Sequence, residues 1–204
     1  MSFRKELKSI LFSEKLINLK KWIHINNGEI LFPERNINSV YLDNITFSMY
    51  KDSLEGSVPR KKIRIRNYNK EPKFNLKNNK LEIKISSAEG RFKIVKKKDI
   101  GDLFGYKFED NNYGTCYPIS CVSYKRVYYK IKNIRLTIDT SIKYRKVKLG
   151  KISHFFQVEP FNVIELKFTD MADTGLVSSF PFHYVRFSKY SRSIEFNDKK
   201  YSFL

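Results

Sequence analysis

Alternation of apolar and charged residues at every second position is the feature that most constrains the fold of this chain. In residues 59–68, PRKKIRIRNY, the cations Lys62, Arg64 and Arg66 alternate with isoleucines. Successive side chains of a β-strand point to opposite faces. The segment therefore predicts a strand with one basic face and one apolar face.

The same pattern recurs in five further segments, at residues 3–8, 81–86, 91–95, 134–139 and 164–168. In each segment, charged residues share one face and apolar residues share the other. The charged positions are Glu6, Lys8, Glu82, Lys84, Arg91, Lys93, Arg135, Asp139, Glu165 and Lys167. The predicted fold class is α+β, mainly antiparallel β.

Helices are predicted to be few and short. We expect a helix over 13–23 capped by Ser13, a second over 46–56 capped by Thr46, and a third over 170–179. The positions expected to be buried on the first two helices are Leu16, Leu19, Ile23, Phe47, Tyr50 and Leu54. No long linker or repeat interrupts the chain, so a single domain over residues 1–204 is predicted.

The charge balance predicts an anionic partner. The chain has 40 Lys and Arg residues against 21 Asp and Glu residues, a net charge of +19. Its 41% hydrophobic and 15% aromatic residues exclude a disordered chain. Because so much like charge repels itself in a compact state, nucleic acid, an anionic membrane or a phosphate chain is expected to balance it.

The sequence contains few signals of a cellular compartment or of a metal site. There is no secretory signal pattern, and no apolar run approaches the ~18 residues of a membrane helix, so a cytoplasmic protein without a transmembrane segment is expected. Cys116 and Cys121 are expected to be thiols, although the sequence leaves a disulfide open. The three histidines are isolated and do not suggest a zinc site.

Charged strand faces have two interpretations. A half-buried antiparallel sheet would place them in water. Six strands repeating the pattern, four of them with an acid among the cations, favour instead a closed barrel with a polar interior. Such an interior is stable when it is wet and holds a polyanion. Carboxylates among the cations hinder nucleic-acid binding, whereas they help to hold a divalent metal on a triphosphate.

Several segments, taken in order, resemble a known family. They are VYLDNITFSMYKDSLEG, RKKIRIRNY, LEIKIS, VSYKRVYY with IRLTID, VIELKF and VRFSKY, from about Phe3 to Tyr190. Together they resemble the VTC (vacuolar transporter chaperone) domain of polyphosphate polymerases, in the triphosphate tunnel metalloenzyme (CYTH-like) superfamily. The resemblance implies an eight-stranded closed β-barrel, ATP and polyphosphate or inorganic triphosphate as partners, and Mn²⁺ or Mg²⁺ as cofactor.

The resemblance also implies roles for individual residues. The arginines expected to stabilise the transferring phosphoryl group are Arg64, Arg66, Arg126 and Arg135. The expected phosphate ligands are Lys8, Lys84, Arg91, Lys93 and Lys189, and Lys62 and Lys167 join them because they share the same faces. Glu165 is the expected metal ligand. Glu6, Glu82 and Asp139 are further candidates for holding the metal or positioning a water.

The sequence leaves the reaction open. A phosphate-chain acceptor makes the protein a polymerase that transfers the γ-phosphoryl group of ATP, and water as acceptor makes it a triphosphatase. A non-catalytic polyphosphate-binding module has the same fold requirements. Nucleic-acid binding is a more distant alternative, supported by aromatic and basic residues interleaved at 124–129 and 184–190. Anionic membrane binding through lysines at 96–98 or 143–151 is another.

Overall fold

A computed structural model describes residues 5–74, 78–88, 90–97, 102–169 and 174–197 of the chain. The strands in this part of the chain are β1 (Lys5–Leu11), β2 (Glu29–Asp43), β3 (Arg60–Asn67), β4 (Lys80–Ser87), β5 (Gly90–Lys97), β6 (Phe108–Asp110), β7 (Gly114–Ile131), β8 (Ile134–Lys148), β9 (Lys151–Ile152), β10 (Gln157–Val158) and β11 (Asn162–Phe168). The helices are α1 (Leu16–Ile25), α2 (Ser48–Glu55), α3 (Thr174–Ser178) and α4 (Lys189–Asn197).

The strands pair in the order β1-β11-β8-β7-β2-β3-β4-β5, with β6 beside β7 and with β9 and β10 beside β8. The pairs β1-β11, β11-β8, β2-β3, β3-β4, β4-β5, β6-β7, β8-β9 and β8-β10 are antiparallel. The predicted mainly antiparallel β class with few helices is therefore confirmed. The eight-strand path begins at β1 and ends at β5 in the described residues, so closure into a barrel stays a prediction.

The chain forms two compact units, each assembled from three stretches. The first unit comprises Met1–Arg35, Tyr124–Ile142 and Glu159–Phe187. The second comprises Asn36–Ser123, Lys143–Val158 and Ser188–Leu204. Three of the boundaries between the units fall inside long strands, so β2, β7 and β8 each contribute residues to both units.

In the first unit, helices cover the apolar face of β1, β11 and β8. Leu136 and Ile138 of β8 and Ile164 and Leu166 of β11 are buried in one core cluster. The helical members of the same cluster are Leu19, Trp22, Ile23 and Leu176. Burial of this face stabilises the sheet at roughly 25 cal/mol per Å² of apolar surface, and it directs the charged residues of the same strands to the opposite face.

In the second unit, β2, β3, β4 and β5 form a meander. Its registers pair Val40 with Ile65, Ile65 with Leu81, and Ile63 with Ile83. Val40, Ile63 and Ile65 are fully buried, and Leu81 is nearly so. The apolar faces predicted from the alternation are therefore adjacent in the sheet, and the charged faces lie on its other side.

The first helix has the predicted buried face but not the predicted cap. Leu19 and Ile23 are buried, and Leu16 packs against the core. Ser13, however, opens a short 3-10 turn over Ser13–Lys15, and α1 begins only at Leu16. Neither element has a side-chain hydrogen bond at its N-terminus, so the prediction that Ser13 caps the helix is wrong.

The second helix is capped by residues that precede Thr46. The side-chain oxygen Oδ1 of Asn44 accepts the backbone N–H of Ser48, the first residue of α2, at 2.9 Å. Thr46 Oγ1 instead donates to Asn44 Oδ1. The predicted end is confirmed, because Gly56 follows the helix with a φ of 82°, in the left-handed region that glycine adopts readily.

The buried face of α2 also differs from the prediction. Met49 and Ser53 are buried, whereas Phe47 and Leu54 are exposed and Tyr50 is half-buried. Phe47 precedes the helix with a φ of 55°, so it is not on the helical face at all. The prediction took Phe47 as the first residue of the buried helical face, whereas the helix begins at Ser48.

The remaining helices were predicted in part or missed. Helix α3 spans Thr174–Ser178, within the predicted 170–179, and residues 170–173 lie outside the described residues. Helix α4 was not predicted.

Cys116 and Cys121 are buried and not joined in a disulfide. Within the described residues, no helix combines the length and the apolar character needed to cross a bilayer.

Candidate functional site

The second unit carries what we call the basic face, the side of β3, β4 and β5 that bears Arg64, Glu82 and Lys93. Register pairs Arg64 of β3 with Tyr41 of β2 on one side and with Glu82 of β4 on the other. Paired residues of antiparallel strands point to the same side of the sheet. The predicted cations of β3 and β5 and the predicted acid of β4 therefore share one face.

Glu82 is the charge centre of this face and is 1% exposed. Its Oε2 accepts Arg64 Nε at 2.7 Å and lies 3.6 Å from Arg66 Nη1. Its Oε1 accepts Lys93 Nζ at 2.6 Å. Burial alone would raise the pKa of Glu82, but the charges of Arg64, Arg66 and Lys93 outweigh burial and hold it well below its usual range. Three cations thus share one carboxylate.

The depressed pKa of Glu82 predicts a dependence of stability on pH. A carboxyl whose pKa is lower in the folded state stabilises that state above its unfolded pKa, here 4.5, and loses this contribution as the pH falls through the folded value. We expect the difference in unfolding free energy between the wild type and Glu82→Gln to be largest above pH 4.5 and to narrow below it. Urea denaturation of both proteins across acidic pH measures this. A difference that stays constant with pH would contradict the assignment.

Three lysines lie side by side across the basic face. Register pairs Lys62 of β3 with Lys84 of β4, and Lys84 with Lys93 of β5. Like charges directly opposite on neighbouring strands destabilise a sheet. Lys62 Nζ donates to Ser188 Oγ at 2.9 Å, and Arg91 pairs in register with Ser86 on the same side. A row of like charges such as this one favours an anion laid across the strands.

Tyrosine and serine side chains orient the two arginines of β3. Arg66 Nε donates to Ser39 Oγ at 3.0 Å, and Arg64 Nη1 donates to Tyr41 Oη at 3.2 Å. The Tyr41 ring lies 5.1 Å from the ring of Tyr190, centroid to centroid. The arginines are thereby held in position from β2 as well as by Glu82.

Helix α4 places Lys189 and Tyr190 in the second unit next to these groups. Lys189 is the first residue of α4, and Ser188 Oγ accepts the backbone N–H of Ser191 at 3.2 Å, which caps the helix. Tyr190 Oη donates a hydrogen bond to the buried carboxylate of Asp43. Burial raises the pKa of Asp43, although its hydrogen bonds act in the opposite direction.

The carboxylate of Asp43 also holds the start of α2. Its Oδ1 accepts the N–H of Asn44 at 2.8 Å and of Met49 at 3.1 Å, and its Oδ2 accepts the N–H of Tyr50 at 3.0 Å. One carboxylate therefore ties α2 and α4 to the end of β2. This arrangement fixes the helix end that carries Lys189.

The first unit carries a second cluster, which we call the charged face, on the side of β1, β11 and β8 that bears Lys8, Glu165 and Thr137. Register pairs Lys8 with Glu165, and Glu165 with Thr137. The neighbouring row pairs Glu6 of β1 with Lys167. The predicted residues of these three strands are therefore adjacent on one side of the sheet.

Two carboxylates of the charged face share one ammonium group. Lys167 Nζ lies 2.6 Å from Glu6 Oε1 and 2.7 Å from Glu165 Oε1. Lys8 Nζ donates to the backbone carbonyl of Phe187 at 2.8 Å. Within the stretches that the structure describes, no group of three or more His, Cys, Asp or Glu residues is arranged to hold a metal by itself.

Arg126 and Asp139 form a two-pronged ion pair in the same unit. Arg126 Nε and Nη2 donate to the two oxygens of Asp139 at 2.5 and 2.7 Å. The guanidinium carbon lies 5.2 Å from the centroid of the Tyr124 ring. Burial opposes the charge on Arg126, but the fully buried Asp139 outweighs this and raises the pKa of the arginine.

Two buried polar atoms of β8 on this face have no hydrogen-bond partner among the described residues. They are Nε of Arg135 and Oγ1 of Thr137. Arg135 and Thr137 pair in register with Lys167 and Glu165. Buried polar atoms are almost always satisfied in folded proteins. These two donors are therefore suited to an anionic oxygen supplied by a ligand.

Three arginines of these faces are less accessible than the charged residues of an ordinary solvated sheet surface, although the side chain of Lys93 is 42% exposed. The side chains of Arg64 and Arg126 are each 13% exposed, and that of Arg66 is 7% exposed. Lysines and arginines of a sheet face open to water would be far more accessible. The interpretation of charged faces simply turned into solvent does not hold for these residues.

Sequence reasoning assigned no role to several polar residues that contact the cations or lie beside them. They are Ser39, Tyr41, Asp43, Tyr124, Thr137, Ser188 and Tyr190. Tyr124 and Thr137 had a signal, because each lies two positions from a predicted site residue on the same strand. Ser188 also had one, as a helix-capping residue followed by Tyr190 and Ile194 at helical spacing. The contact of Asp43 with Tyr190 had none, because 147 residues separate the two.

Three solved structures are similar to this chain over most of its length. HpAC1 from Hippeastrum, which has a dominant triphosphatase activity, is 13% identical, with 95% of each chain covered and a TM-score of 0.50. A protein from Vibrio parahaemolyticus proposed to be an adenylate cyclase is 15% identical, with 87% of this chain and 82% of that chain covered and a TM-score of 0.47. PH1012 from Pyrococcus horikoshii OT3 is 15% identical, with 87% and 84% covered and a TM-score of 0.44.

Sequence comparison identifies the family. Among curated proteins, none matches the chain. The model of the VTC domain family matches residues 3–104 and 97–197, which together span nearly the whole chain. The strands with alternating charge, the basic face and the charged face all fall within these matched residues. The chain belongs to the VTC domain family.

Proposed function

We propose that this protein is a polyphosphate polymerase-like phosphotransferase that moves the γ-phosphoryl group of ATP onto a polyphosphate chain with the help of a divalent metal. The observation that carries the proposal is the row Lys62, Lys84 and Lys93 beside Arg64 and Arg66. Arg64, Arg66 and Lys93 converge on one buried carboxylate, and Lys62 and Lys84 share their side of the sheet. Such a concentration of arginines and lysines suits the oxygens of a phosphate chain. The proposal includes closure of the eight-strand path into the tunnel implied by the family.

Phosphoryl transfer requires positioning and charge stabilisation more than covalent catalysis by the protein. In the proposed reaction, an oxygen of the terminal phosphate of the chain forms a bond to the γ-phosphorus as the bond to the β-phosphate oxygen breaks. ADP leaves with that oxygen, and the chain grows by one phosphate. Because the attacking oxygen is already anionic, no general base is needed. Arg64 and Arg66 neutralise the charge that moves between these oxygens.

Glu82 and Asp139 act in this proposal by holding arginines. The carboxylate oxygens of Glu82 are engaged by Arg64 and Lys93, and those of Asp139 by Arg126. A side chain held in one rotamer loses less entropy when it binds a phosphate. Arg135 and Thr137 contribute the two buried donors without partners to phosphate oxygens.

The charged face fits a Mn²⁺ or Mg²⁺ ion that is shared with the substrate. Glu165 and Glu6 offer hard carboxylate oxygens on either side of Lys167. Mg²⁺ is commonly bound by one or two carboxylates plus substrate phosphates, so two acids are enough once a triphosphate is present. The metal would polarise the phosphate and screen its charge. Glu165 is the proposed ligand, with Glu6 beside it.

Chain growth is the direct test of this function. We expect incubation of the full chain with ATP and Mn²⁺ to give phosphate polymers longer than triphosphate, resolved by gel electrophoresis and stained with a polyanion-binding dye. Polymer bands should be absent when EDTA removes the metal. Binding of tripolyphosphate without turnover of ATP would show a non-catalytic module instead and would contradict the proposal.

Hydrolysis of a triphosphate is the second candidate. It is favoured by the fold shared with HpAC1, which has a dominant triphosphatase activity. The reaction would use the same cations, with a water in place of the terminal phosphate as the attacking group. The same assay separates the two functions, because a triphosphatase releases orthophosphate without lengthening any chain.

A further inference from the structure

Residues Lys143–Val158 of the second unit, which we call the basic hairpin, expose large apolar side chains. They include the end of β8 together with β9 and β10. Leu149 is 74% exposed and Phe155 is 89% exposed. Phe156 and Val158 are also exposed. Single exposed apolar residues are normal, but four within sixteen residues of one hairpin call for an explanation.

The tip of the hairpin is built around an apolar residue in an unfavourable position. Leu149 and Gly150 connect β8 to β9 with φ values of 48° and 72°. Two-residue turns with two positive φ values strongly prefer Asn-Gly, because leucine is strained in the left-handed region. Leu149 thus lies where Asn is preferred and is also turned into solvent. Neither feature benefits the isolated protein.

A further exposed aromatic residue, Phe104, lies against the tip. A Cβ atom on Gly150 would approach the backbone N of Phe104 to 2.3 Å, so only glycine fits there. Phe104 is itself 64% exposed. The close approach of the two backbones therefore brings Phe104 next to the turn that presents Leu149.

All Asp, Glu, Lys and Arg positions of the basic hairpin are occupied by cations, so its charge is positive. Its cations are Lys143, Arg145, Lys146, Lys148 and Lys151, and residues 143–158 contain no Asp or Glu. Lys148 and Lys151 pair in register directly beside the turn. Lys143 Nζ and the Arg145 guanidinium lie 4.7 and 4.9 Å from the centroid of the Phe156 ring. Asp102, whose Oδ1 accepts the N–H of Phe104, is an acid beside this tip.

We propose that the basic hairpin is a docking site for an anionic lipid surface. Apolar side chains can enter the boundary between headgroups and acyl chains while the flanking cations contact the phosphate headgroups. A free phosphate chain or a nucleic-acid backbone would satisfy the cations but would leave Leu149 and Phe155 in water. The combination of a strained apolar tip and one sign of charge matches a bilayer. This proposal does not depend on the proposed enzymatic function.

The test compares two pairs of exposed apolar residues. In Leu149→Asn/Phe155→Ser, Asn suits the positive φ of the turn, so the fold is retained. The control Ile25→Ser/Ile45→Ser removes side chains that are 76% and 87% exposed and lie outside the hairpin. Co-sedimentation of the full chain with phosphatidylcholine vesicles, with and without phosphatidylserine, measures binding. Thermal melting checks that both variants are folded.

We expect the wild type and the control to bind the vesicles that contain phosphatidylserine, and the hairpin variant to bind about tenfold more weakly, because partitioning of apolar side chains is lost. Tripolyphosphate binding should be equal in all three proteins. The proposal is overturned if the wild type does not bind anionic vesicles, or if the hairpin variant binds them as the wild type does. It is also overturned if tripolyphosphate binding falls in parallel, since the hairpin would then be a general anion contact.

Discussion

Replacing Arg64 and Arg66 with alanine is expected to lower kcat/KM for ATP turnover by about 10² to 10³, the range seen when a preorganised donor to a developing charge is removed. Arg66 is buried and Arg64 is partly buried on the basic face, and Ser39, Tyr41 and Glu82 hold them. Steady-state kinetics with ATP and Mn²⁺ measure the effect. The control Lys20→Ala/Lys21→Ala removes the same net charge from the exposed side of α1 and should change kcat/KM little.

The double alanine variant should also be destabilised, which sequence reasoning did not anticipate. A role as phosphate ligands alone would predict that removing Arg64 and Arg66 leaves the folding stability nearly unchanged. They are, however, partners of the buried Glu82, which would retain Lys93 as its remaining ion-pair partner. Leaving a buried charge inadequately paired costs about 3–5 kcal/mol.

A variant with two lysines separates the loss of activity from the loss of stability. Arg64→Lys/Arg66→Lys keeps both positive charges near Glu82 but removes the planar fork that binds two phosphate oxygens at once. We expect kcat/KM to fall while most of the folding stability is retained. Wild-type turnover in this variant would show that the arginines act only as charges, and wild-type turnover in the double alanine variant would remove them from the site.

The alternation of residues was sufficient to predict which side chains share a face. The faces of β3, β4, β5, β8 and β11 follow from it, because strand geometry fixes the side of each residue. The register of one strand against the next does not follow. The pairing of Arg64 with Glu82 depends on how the connection between β3 and β4 is folded, and period-2 spacing says nothing about that connection.

Helix ends were predicted less well, because their caps come from residues outside the local pattern. Thr46 has the right chemistry for a cap, but Asp43 and Asn44 at the end of β2 hold the backbone N–H groups of α2. The Tyr190 hydroxyl reaches Asp43 from 147 residues further along the chain. A contact of this range depends on tertiary packing, which overrides local propensity.

Loss of the charge on Glu82 is expected to make folding depend on phosphate. In Glu82→Gln, Arg64, Arg66 and Lys93 keep their charges around a neutral amide, and the unfolding free energy should fall by about 3–5 kcal/mol. Tripolyphosphate offers oxygens that can replace the missing carboxylate, so it should bind the folded variant more tightly than the folded wild type. A ligand at 100 times its Kd adds about 2.7 kcal/mol, so at one fixed concentration the tighter complex gains more.

The control for this experiment is a buried acid outside the basic face. Asp110 is paired with Lys61 at 2.9 Å, and its side chain is 7% exposed. Asp110→Asn should lose stability through the same physical cause, but tripolyphosphate should stabilise it no more than it stabilises the wild type. Urea denaturation of the three proteins with and without tripolyphosphate gives the comparison. If the ligand raised all three unfolding free energies equally, Glu82 would not be competing with phosphate for these cations, and the basic face would not be where the chain binds.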